Sequence, residues 1–374
     1  MLEKKKIPVF SLEIGENEKK YINECLDTSW IGQGGYVTKF EEEFSKYVSC
    51  KHGLTTTSGT TALHLALRSL DVGEGDEVLV SSSTNMACAF SIVYCNAVPV
   101  PIDIKKETWQ LDVNLIEKKI TKKTKAIMVV HLFGQAVDMD AIMEIAKKHN
   151  LKVIEDCAEA HGVEYKNKRV GSIGDIGCFS FFSNKTITCG EGGMVVTNSD
   201  ELANKAKSLK NMCYGATTKF VHDGIGFNYR LPNVSAALGL GQFNQIDKII
   251  EEKDRIFKRY SSKLSNVQGL NIPQIESYTN RYIMWAFNIY LDDTFKVSRD
   301  ELVKLLKNIG IDTRDSFVPI NQQKILHEKY NIKDEDCPNA NYIRETGLYL
   351  PSGNNLTNKE IDYISDEIIK INNS

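Results

Sequence analysis

Residues 179–197 read Phe-Ser-Phe-Phe-Ser-Asn-Lys-Thr-Ile-Thr-Cys-Gly-Glu-Gly-Gly-Met-Val-Val-Thr. An apolar segment, Ile176 to Phe182, leads to Lys185, and a glycine-rich turn, Gly190 to Gly193, is followed by a second apolar run, Met194 to Val196. This order predicts a lysine on a tight loop between two buried strands. Such an amine can form Schiff bases with carbonyl compounds, and pyridoxal phosphate is the commonest cofactor held in this way. An ordinary surface lysine is the alternative on this stretch alone.

The composition is that of a globular protein of about two domains. The 374 residues are 42% hydrophobic and 25% charged, and the length is too great for one small core. A net charge of −3 and a pI near 6.2, without a basic arm, give no reason to expect a nucleic-acid partner. Neither a signal peptide nor an apolar run of about 18 residues is recognised, so we expect no membrane partner.

The nine cysteines are scattered along the chain. They form no CxxC pair and no Cys/His spacing typical of a metal site. Several, such as Cys88, Cys95 and Cys178, lie inside apolar runs. We therefore expect buried, reduced thiols in a cytoplasmic protein, and no metal site.

Strands and helices alternate between residues 77 and 156. The predicted segments are strand Glu77–Ser81, helix Met86–Asn96, strand Val98–Ile104, helix Val113–Ile120, strand Ala126–Leu132, helix Met139–His149 and strand Lys152–Asp156. Short apolar strands separated by helices of about ten residues indicate βαβ units. We therefore expect an α/β fold with a mainly parallel sheet between helices, and ligands at the carboxyl ends of its strands.

After the long charged helix predicted at Ile246–Leu264, the pattern of predicted strands and helices changes to one typical of a smaller α+β domain. We expect the large domain to comprise residues 1–245, including two N-terminal helices, and the small domain residues 246–374. Trp285 and Arg314 are the residues of the small domain that we expect to reach a site between the two.

Hydroxyl residues open a strong helical pattern near residue 58. Ser58, Gly59 and Thr60 precede the apolar run 62–67. A helix N-terminus presents unpaired N–H groups and a partial positive charge, which can hold a phosphate. A plain Ser/Thr cap is the alternative. Ser180, five residues before Lys185, can add a further hydroxyl to a phosphate site.

Two carboxylates emerge where the strand Lys152–Asp156 stops. Asp156 or Glu159 can pair with a pyridinium nitrogen and keep it protonated, which makes the ring an electron sink. A helix cap or a salt bridge is the alternative for Asp156. His161 has several possible uses in this loop, and we assign it none.

Two other stretches favour ligand contacts. Trp30 lies in a glycine-rich segment that suits a ligand-covering loop, although an ordinary turn fits nearly as well. Asn228 and Arg230 have aromatic neighbours and suit recognition of phosphate or carboxylate. Small residues in the helix predicted at Val234–Gln242 allow another helix to approach closely, as at a dimer interface.

Four motifs, in this order, resemble those of the DegT/DnrJ/EryC1/StrS family of sugar aminotransferases. They are Thr57-Ser58-Gly59-Thr60, Glu155-Asp156-Cys157-Ala158-Glu159-Ala160, the stretch 179–193 and Gly226-Phe227-Asn228-Tyr229-Arg230. The resemblance covers nearly the whole chain. It implies a pyridoxal-phosphate enzyme of fold type I, and a homodimer whose active sites are shared between subunits.

The resemblance also implies roles for single residues. Lys185 would form the Schiff base with the cofactor, Asp156 would bind its pyridine nitrogen, and Glu159 would lie near its ring hydroxyl. The expected phosphate ligands are Ser58, Gly59, Thr60, Ser180 and, reaching in from the other subunit, Asn228. The expected substrate contacts are Trp30, Arg230, Arg314 and Asn321.

The chain departs from the family pattern at two positions. Asn85, which we expect among the cofactor-binding residues, stands where relatives usually carry an aromatic residue that stacks on the cofactor ring. Asn321 stands where many relatives have a histidine that faces the substrate. The sequence therefore specifies the type of reaction more closely than it specifies the sugar substrate.

The expected reaction moves an amino group from L-glutamate to a keto carbon of a nucleotide-linked deoxysugar. The resemblance favours C4 of GDP-4-keto-6-deoxymannose as the site of amination, which would give an amino sugar for a surface polysaccharide. Amination at C3 or C4 of a UDP- or dTDP-linked sugar is the alternative, as is a sugar dehydratase of the same family. The dehydratases replace the lysine with histidine, and Lys185 is present here.

Overall fold

The computed structural model describes residues 6–215 and 220–374. The strands in chain order are β1 His52–Thr56, β2 Glu77–Ser81, β3 Val98–Ile102, β4 Thr124–Val130, β5 Lys152–Asp156, β6 Glu164–Tyr165, β7 Lys168–Arg169, β8 Ile176–Ser180, β9 Gly193–Thr197, β10 Leu270–Asn271, β11 Phe287–Leu291, β12 Arg314–Asp315 and β13 Gly347–Leu350. The α-helices are α1 Glu16–Asp27, α2 Gly35–Tyr47, α3 Gly59–Ser69, α4 Ala87–Tyr94, α5 Met139–His149, α6 Asp200–Lys210, α7 Asn233–Phe243, α8 Ile246–Leu264, α9 Arg299–Asn308, α10 Lys324–Tyr330, α11 Pro338–Thr346 and α12 Asn358–Asn373.

The largest sheet has seven strands in the order β1-β9-β8-β5-β4-β2-β3. From β8 to β3 all neighbours are parallel, whereas β9 is antiparallel to both β8 and β1. The strands β8 and β9 are buried along their whole length, as in a sheet covered on both faces. The expected α/β fold with a mainly parallel sheet is therefore confirmed.

The helix α3 begins where the hydroxyl cluster predicts. Ser58 is its N-cap: the Ser58 hydroxyl accepts the N–H of Thr61, and the Thr61 hydroxyl accepts the N–H of Ser58. This capping box fixes the first turn of the helix. The apolar residues of α3 are buried against β8 and β9, so its N-terminus lies beside the carboxyl end of β8.

A second sheet, of four antiparallel strands, has the order β10-β11-β13-β12. Its core is shared with the helices α8 and α12, through residues such as Tyr260, Phe287 and Ile361. Ile7, from the start of the described chain, belongs to the same core and pairs with Ile311. The N-terminal segment thus crosses to the second sheet. The proposed division between residues 245 and 246 stays a prediction, and residues 1–5 lie outside the described chain.

One predicted helix is wrong in type. The segment expected as the helix Val113–Ile120 forms two short 3-10 helices, Val113–Leu115 and Glu117–Lys119. The Asp112 side chain caps the first of them through the N–H of Asn114. Ile116 is the fully buried side chain between them, so the apolar spacing is satisfied without a continuous helix.

Two further expectations about the whole chain can be compared with the structure. All nine cysteines are buried and free of disulfides, as expected. In the part of the chain that the structure describes, no helix has both the length and the apolar character needed to cross a bilayer.

Candidate active site

A cavity of about 430 Å³ lies at the carboxyl ends of β5 and β8 and extends to the four-stranded sheet. It brings together residues from most of the motifs that the sequence singles out. The predicted site residues that line it are Ser58, Gly59, Thr60, Asn85, Asp156, Ser180 and Lys185. Trp285, which was expected to reach a site between domains, also lines it.

Lys185 lies on the connection between β8 and β9, with a side chain that is 11% exposed. The loop is tight, because the Lys185 N–H bonds to the carbonyl of Phe182 at 2.9 Å. Its Nζ is 3.3 Å from Glu159 Oε1 and 4.3 Å from the centre of the Trp285 ring. A carboxylate and an aromatic face both attract an ammonium group. The lysine is therefore buried, oriented and directed into the cavity.

Asp156 is the last residue of β5 and its carboxylate is held on both oxygens. Oδ1 accepts the N–H of Ala158 at 3.0 Å, and Oδ2 accepts the Cys88 thiol at 2.9 Å. Burial raises the pKa of Cys88 well above its ordinary value, so the thiol keeps its proton and donates it. The carboxylate thus faces the cavity in one fixed orientation.

Glu159 is a buried carboxylate that contacts Lys185 directly. Burial raises the pKa of Glu159, against the opposing effects of Lys185 and of the Phe133 N–H. That N–H donates to Glu159 Oε2 at 3.0 Å. Phe133 has a φ of 55°, in the left-handed region that bulky residues rarely adopt. This backbone turns the N–H toward Glu159 while the ring stacks between Trp285 and Phe317.

The start of α3 and the end of β8 form a cradle suited to an anion. A Cβ added to Gly59 would lie 2.7 Å from the Cβ of Ser180, so only glycine permits this approach. The capping box occupies the N–H of Thr61. The N–H groups of Gly59 and Thr60 have no partner within the helix. Together with the hydroxyls of Ser58 and Ser180, they fit a phosphate group.

Three predicted site residues lie on the surface of this chain, away from the cavity. Asn228 is exposed, and its Oδ1 accepts the Nε of Arg230 at 2.9 Å. Arg230 also donates to Asn211 Oδ1 at 3.0 Å. Trp30 is 62% exposed, and its indole donates to the carbonyl of Gln33. An Asn228 on the surface agrees with the expectation that it serves another subunit, which stays a prediction.

The last two expected substrate contacts do not line the cavity either. Arg314 is on β12 with 57% of its side chain exposed, and it bonds to Asp312. Asn321 is fully buried. Its amide accepts the Ser82 hydroxyl at 2.5 Å and donates to Asp334 and Asn341, both at 2.8 Å. These polar contacts lie within the chain, and the expected substrate contact of Asn321 stays a prediction.

Phe317 and Tyr349 line the cavity although the sequence did not indicate them as site residues. Tyr349 is in β13, opposite Arg314 of β12, and burial raises the pKa of its hydroxyl. With Trp285 they form an aromatic wall of the cavity. A tyrosine inside an apolar strand was the available signal for Tyr349. For Phe317 the sequence offers no signal of a place in the cavity beyond its position near Asn321.

His131, Glu155 and Cys157 form a buried group whose donor atoms all lie within 4.8 Å of one another. His131 Nε2 is 3.0 Å from Glu155 Oε2, and its Nδ1 accepts the N–H of Val137. The Glu155 carboxylate accepts three backbone N–H groups within residues 171–174. The imidazole and carboxylate donor atoms are thus engaged in hydrogen bonds that join β4, β5 and the following turn. We read the group as a structural network.

His161 is fully buried, and the backbone of Ser180 is a polar neighbour of its ring. Its ring packs among Phe44, Phe179 and Phe181. Burial lowers the pKa of His161 to about 3, with a smaller contribution from the positive charge of Lys185. The imidazole is therefore neutral at the pH of a cell.

A mainly parallel sheet with a buried lysine, a carboxylate and a helix N-terminus around one cavity defines an aminotransferase of the pyridoxal-phosphate-dependent class. The chain belongs to the DegT/DnrJ/EryC1/StrS aminotransferase family, and the sequence profile of that family matches residues 12–369.

Similar proteins agree with this membership. The chain is 43% identical to GDP-perosamine synthase of Escherichia coli O157:H7, over 97% of this chain and 98% of the relative. It is 40% identical to GDP-perosamine synthase of Caulobacter vibrioides, over 96% of each. It thus spans nearly the full length of both relatives.

Solved structures with the same fold include the following two. S. venezuelae DesV, in complex with a ketimine intermediate, has a TM-score of 0.91 at 32% identity, over 98% of both chains. The PMP form of the putative sugar aminotransferase Spr1654 from Streptococcus pneumoniae has a TM-score of 0.93 at 25% identity, over 99% of this chain and 98% of that one.

Proposed function

We propose that this protein transfers an amino group from L-glutamate to C4 of GDP-4-keto-6-deoxymannose, with pyridoxal phosphate bound in the cavity. The observation that carries the proposal is the meeting of Lys185, Asp156 and the Gly59 cradle in one cavity. The GDP-linked substrate is supported by the two relatives that are named GDP-perosamine synthases and match nearly end to end. We further propose that the protein acts in the cytoplasm, where its free thiols stay reduced.

The cavity fits the cofactor at both ends. The start of α3, with Ser58 and Ser180, would hold the phosphate, and Asp156 would pair with the ring nitrogen. When bound, pyridoxal phosphate supplies an aldehyde that condenses with amines and a ring that takes up electrons. Because both oxygens of Asp156 are already fixed by hydrogen bonds, the carboxylate can keep that nitrogen protonated without reorganising.

Lys185 would both hold the cofactor and move a proton. Once the amino donor has displaced it, its free amine would be placed to take the proton from the donor's Cα and to deliver it two atoms away, to the carbon on the cofactor side of the donor nitrogen. Glu159, 3.3 Å away, stabilises the ammonium form that results. The Trp285 ring, whose centre is 4.3 Å from this nitrogen, would stabilise the same ammonium form through its aromatic face.

The aromatic wall of Trp285, Phe317 and Tyr349 would face the sugar. An apolar surface suits a deoxy sugar, whose methyl group and ring C–H bonds need no hydrogen-bond partner. The nucleotide would extend beyond the cavity, toward the surface where a second copy of the chain is proposed to bind.

We propose a homodimer in which Asn228 of one copy completes the phosphate site of the other. Its support is that Asn228 is exposed here. Nearby, Ile225 is 92% and Val221 54% exposed in the single chain. Exposed apolar residues of this kind suit a surface that a second copy of the chain covers. Sedimentation equilibrium should give a dimer at assay concentrations. A monomer with full turnover would contradict the shared site.

The reaction is tested by supplying L-glutamate with GDP-4-keto-6-deoxymannose and identifying the product by mass spectrometry and NMR. We expect a 4-amino sugar, and slower turnover of UDP- and dTDP-linked keto sugars. Replacement Lys185→Ala should remove both the visible absorption band and turnover. The control is Lys168→Ala, at an exposed lysine on β7, which should change neither. Faster amination of a UDP- or dTDP-linked sugar would overturn the GDP assignment.

A further inference from the structure

Lys253 is a buried lysine that has no task in the proposed reaction. It lies in α8 and is 2% exposed. Its Nζ donates to the backbone carbonyls of Trp285, at 3.0 Å, and Ser352, at 2.7 Å. Burial lowers the pKa of Lys253 to about 7. Holding an ammonium group here therefore costs free energy that an apolar side chain of the same length would not cost.

Trp285 connects this ammonium group to the cavity. Its main-chain carbonyl accepts from Lys253, whereas its indole Nε1 donates to the carbonyl of Asn184 at 2.8 Å. Asn184 is the residue before Lys185, whose Nζ is 4.3 Å from the indole ring. The Trp285 ring also stacks on Phe10 at 5.3 Å. Trp285 is thus bonded to Lys253 through its main chain and to the lysine loop through its indole.

The second carbonyl that Lys253 binds belongs to the turn after β13. In that turn, the Ser352 hydroxyl accepts the N–H of Phe287 at 2.9 Å and donates to Leu350 at 2.8 Å. One ammonium group therefore joins α8 to the start of β11 and to the end of β13. An apolar residue would leave both carbonyls buried without a donor, and a lysine can satisfy both because it has three N–H bonds.

We propose that Lys253 is a positioning residue that fixes the main chain at Trp285 and thereby holds the indole against Lys185. The role of Lys185 as the cofactor lysine rests on the proposed function, whereas the fixing of the Trp285 segment does not. A side chain that only filled space would need no charge and would have no effect on groups near Lys185.

The first experiment compares Lys253→Met with Lys258→Met, at an exposed lysine of the same helix, in the cofactor-loaded enzyme. The indole face stabilises positive charge at the lysine nitrogen. We therefore expect Lys253→Met to lower the pH at which the visible band changes by about half a unit to one unit. Lys258→Met should leave that pH unchanged. A lower melting temperature in Lys253→Met with an unshifted band would overturn the proposal.

The second experiment tests the route through Trp285. In a Trp285→Leu background, Lys253→Met should cause no further shift of the band, because the indole is already absent. An equal shift in both backgrounds would show that Lys253 acts by another path. Should Lys253→Met not fold, Lys253→Gln can still donate to one carbonyl, and it should give a smaller shift in the same direction.

A third readout does not depend on the cofactor. In the cofactor-free protein, amide hydrogen exchange of the segment 283–287 should become faster in Lys253→Met, or in Lys253→Gln, but not in Lys258→Met. Unchanged exchange would overturn the positioning role whatever the reaction is. A wild-type enzyme without a visible band would instead count against the proposed function alone.

Discussion

Glu159 is the charged group that contacts the nitrogen of Lys185, at 3.3 Å. A carboxylate so placed helps the lysine to carry a positive charge, whereas an amide there would only accept or donate a hydrogen bond. Burial raises the pKa of Glu159, which limits how much negative charge it brings. A substitution at Glu159 can measure the balance between its attraction for Lys185 and the effect of its burial.

Replacing Glu159 with Gln removes the charge and keeps an acceptor for the Phe133 N–H. We expect the pH at which the visible band of the loaded enzyme changes to fall by about one unit, because a positive charge at the lysine nitrogen loses its partner. An absorbance titration measures the shift. Glu164→Gln, at a half-buried carboxylate that pairs with Arg169, serves as the control. An unchanged titration in Glu159→Gln would mean that the carboxyl group is already neutral.

The sequence alone predicts those cavity residues that are marked by features of their immediate neighbours in the chain. Lys185 is marked by the glycine-rich turn that follows it, and Asp156 by the strand that ends there. Phe317 and Tyr349 come to the same cavity from another sheet, and nothing beside them in the chain shows which cavity they face. Asn321 is a residue expected at the substrate that also makes three polar contacts within the chain, and its expected role stays a prediction.

At the scale of elements, the approach of α3 to β8 builds the cradle. The helix N-terminus can come this close because its first residue is glycine, and a Cβ there would meet both the Cβ and, at 3.0 Å, the Oγ of Ser180. The first residue of α2 is also a glycine, Gly35, and no atom lies within 4 Å of a Cβ built on it. The chain therefore offers a matched pair of helix starts.

The substitution Gly59→Ala should separate α3 from β8. We expect the affinity for pyridoxal phosphate to fall at least about tenfold, and the free energy of unfolding to fall by about 1–3 kcal/mol. Titration with the cofactor and denaturant unfolding measure the two effects. Gly35→Ala should change neither by much. Wild-type affinity in Gly59→Ala would show that the cradle does not carry the phosphate.

Helices were predicted well where the apolar pattern is long, as in α5, whose first turn is capped by Asp138, and in α8, which has no side-chain cap. The segment 113–120 shows the limit of this reasoning. Its spacing of Val113, Ile116 and Ile120 fits a helix, yet a cap at Asp112 and one fully buried side chain are satisfied by two short turns. The short strands β12 and β13 were missed because they are defined by pairing partners distant in the sequence.

At the scale of the whole molecule, two buried histidines make stability depend on pH. Burial lowers the pKa of His161 to about 3 and that of His64 to about 4. Both lie below the ordinary value of 6.5, so below that pH the unfolded chain binds protons that the folded chain does not. Stability is therefore lost as pH falls from 6.5 toward the folded-state values.

The substitution His161→Leu should make the folded protein less sensitive to acid. Between pH 6.5 and about 3, the loss of unfolding free energy with falling pH should be smaller than in the wild type by about 1.4 kcal/mol per pH unit. His64→Leu should give a similar change only down to about pH 4. Denaturant unfolding of the cofactor-free protein across this range measures both. Equal slopes in wild type and His161→Leu would contradict the buried, neutral state.

Glu155 and Asp156 are neighbours on β5, and their side chains point to opposite faces of the sheet. The Glu155 carboxylate is bound by backbone N–H groups and by a histidine, whereas the Asp156 carboxylate faces the cavity. For protein engineering, this means that the two acids can be altered separately: changes at Asp156 would alter the proposed cofactor site, and changes at Glu155 would alter folding. It also means that β5 tolerates no insertion or deletion of one residue, since such a shift would exchange the two acids.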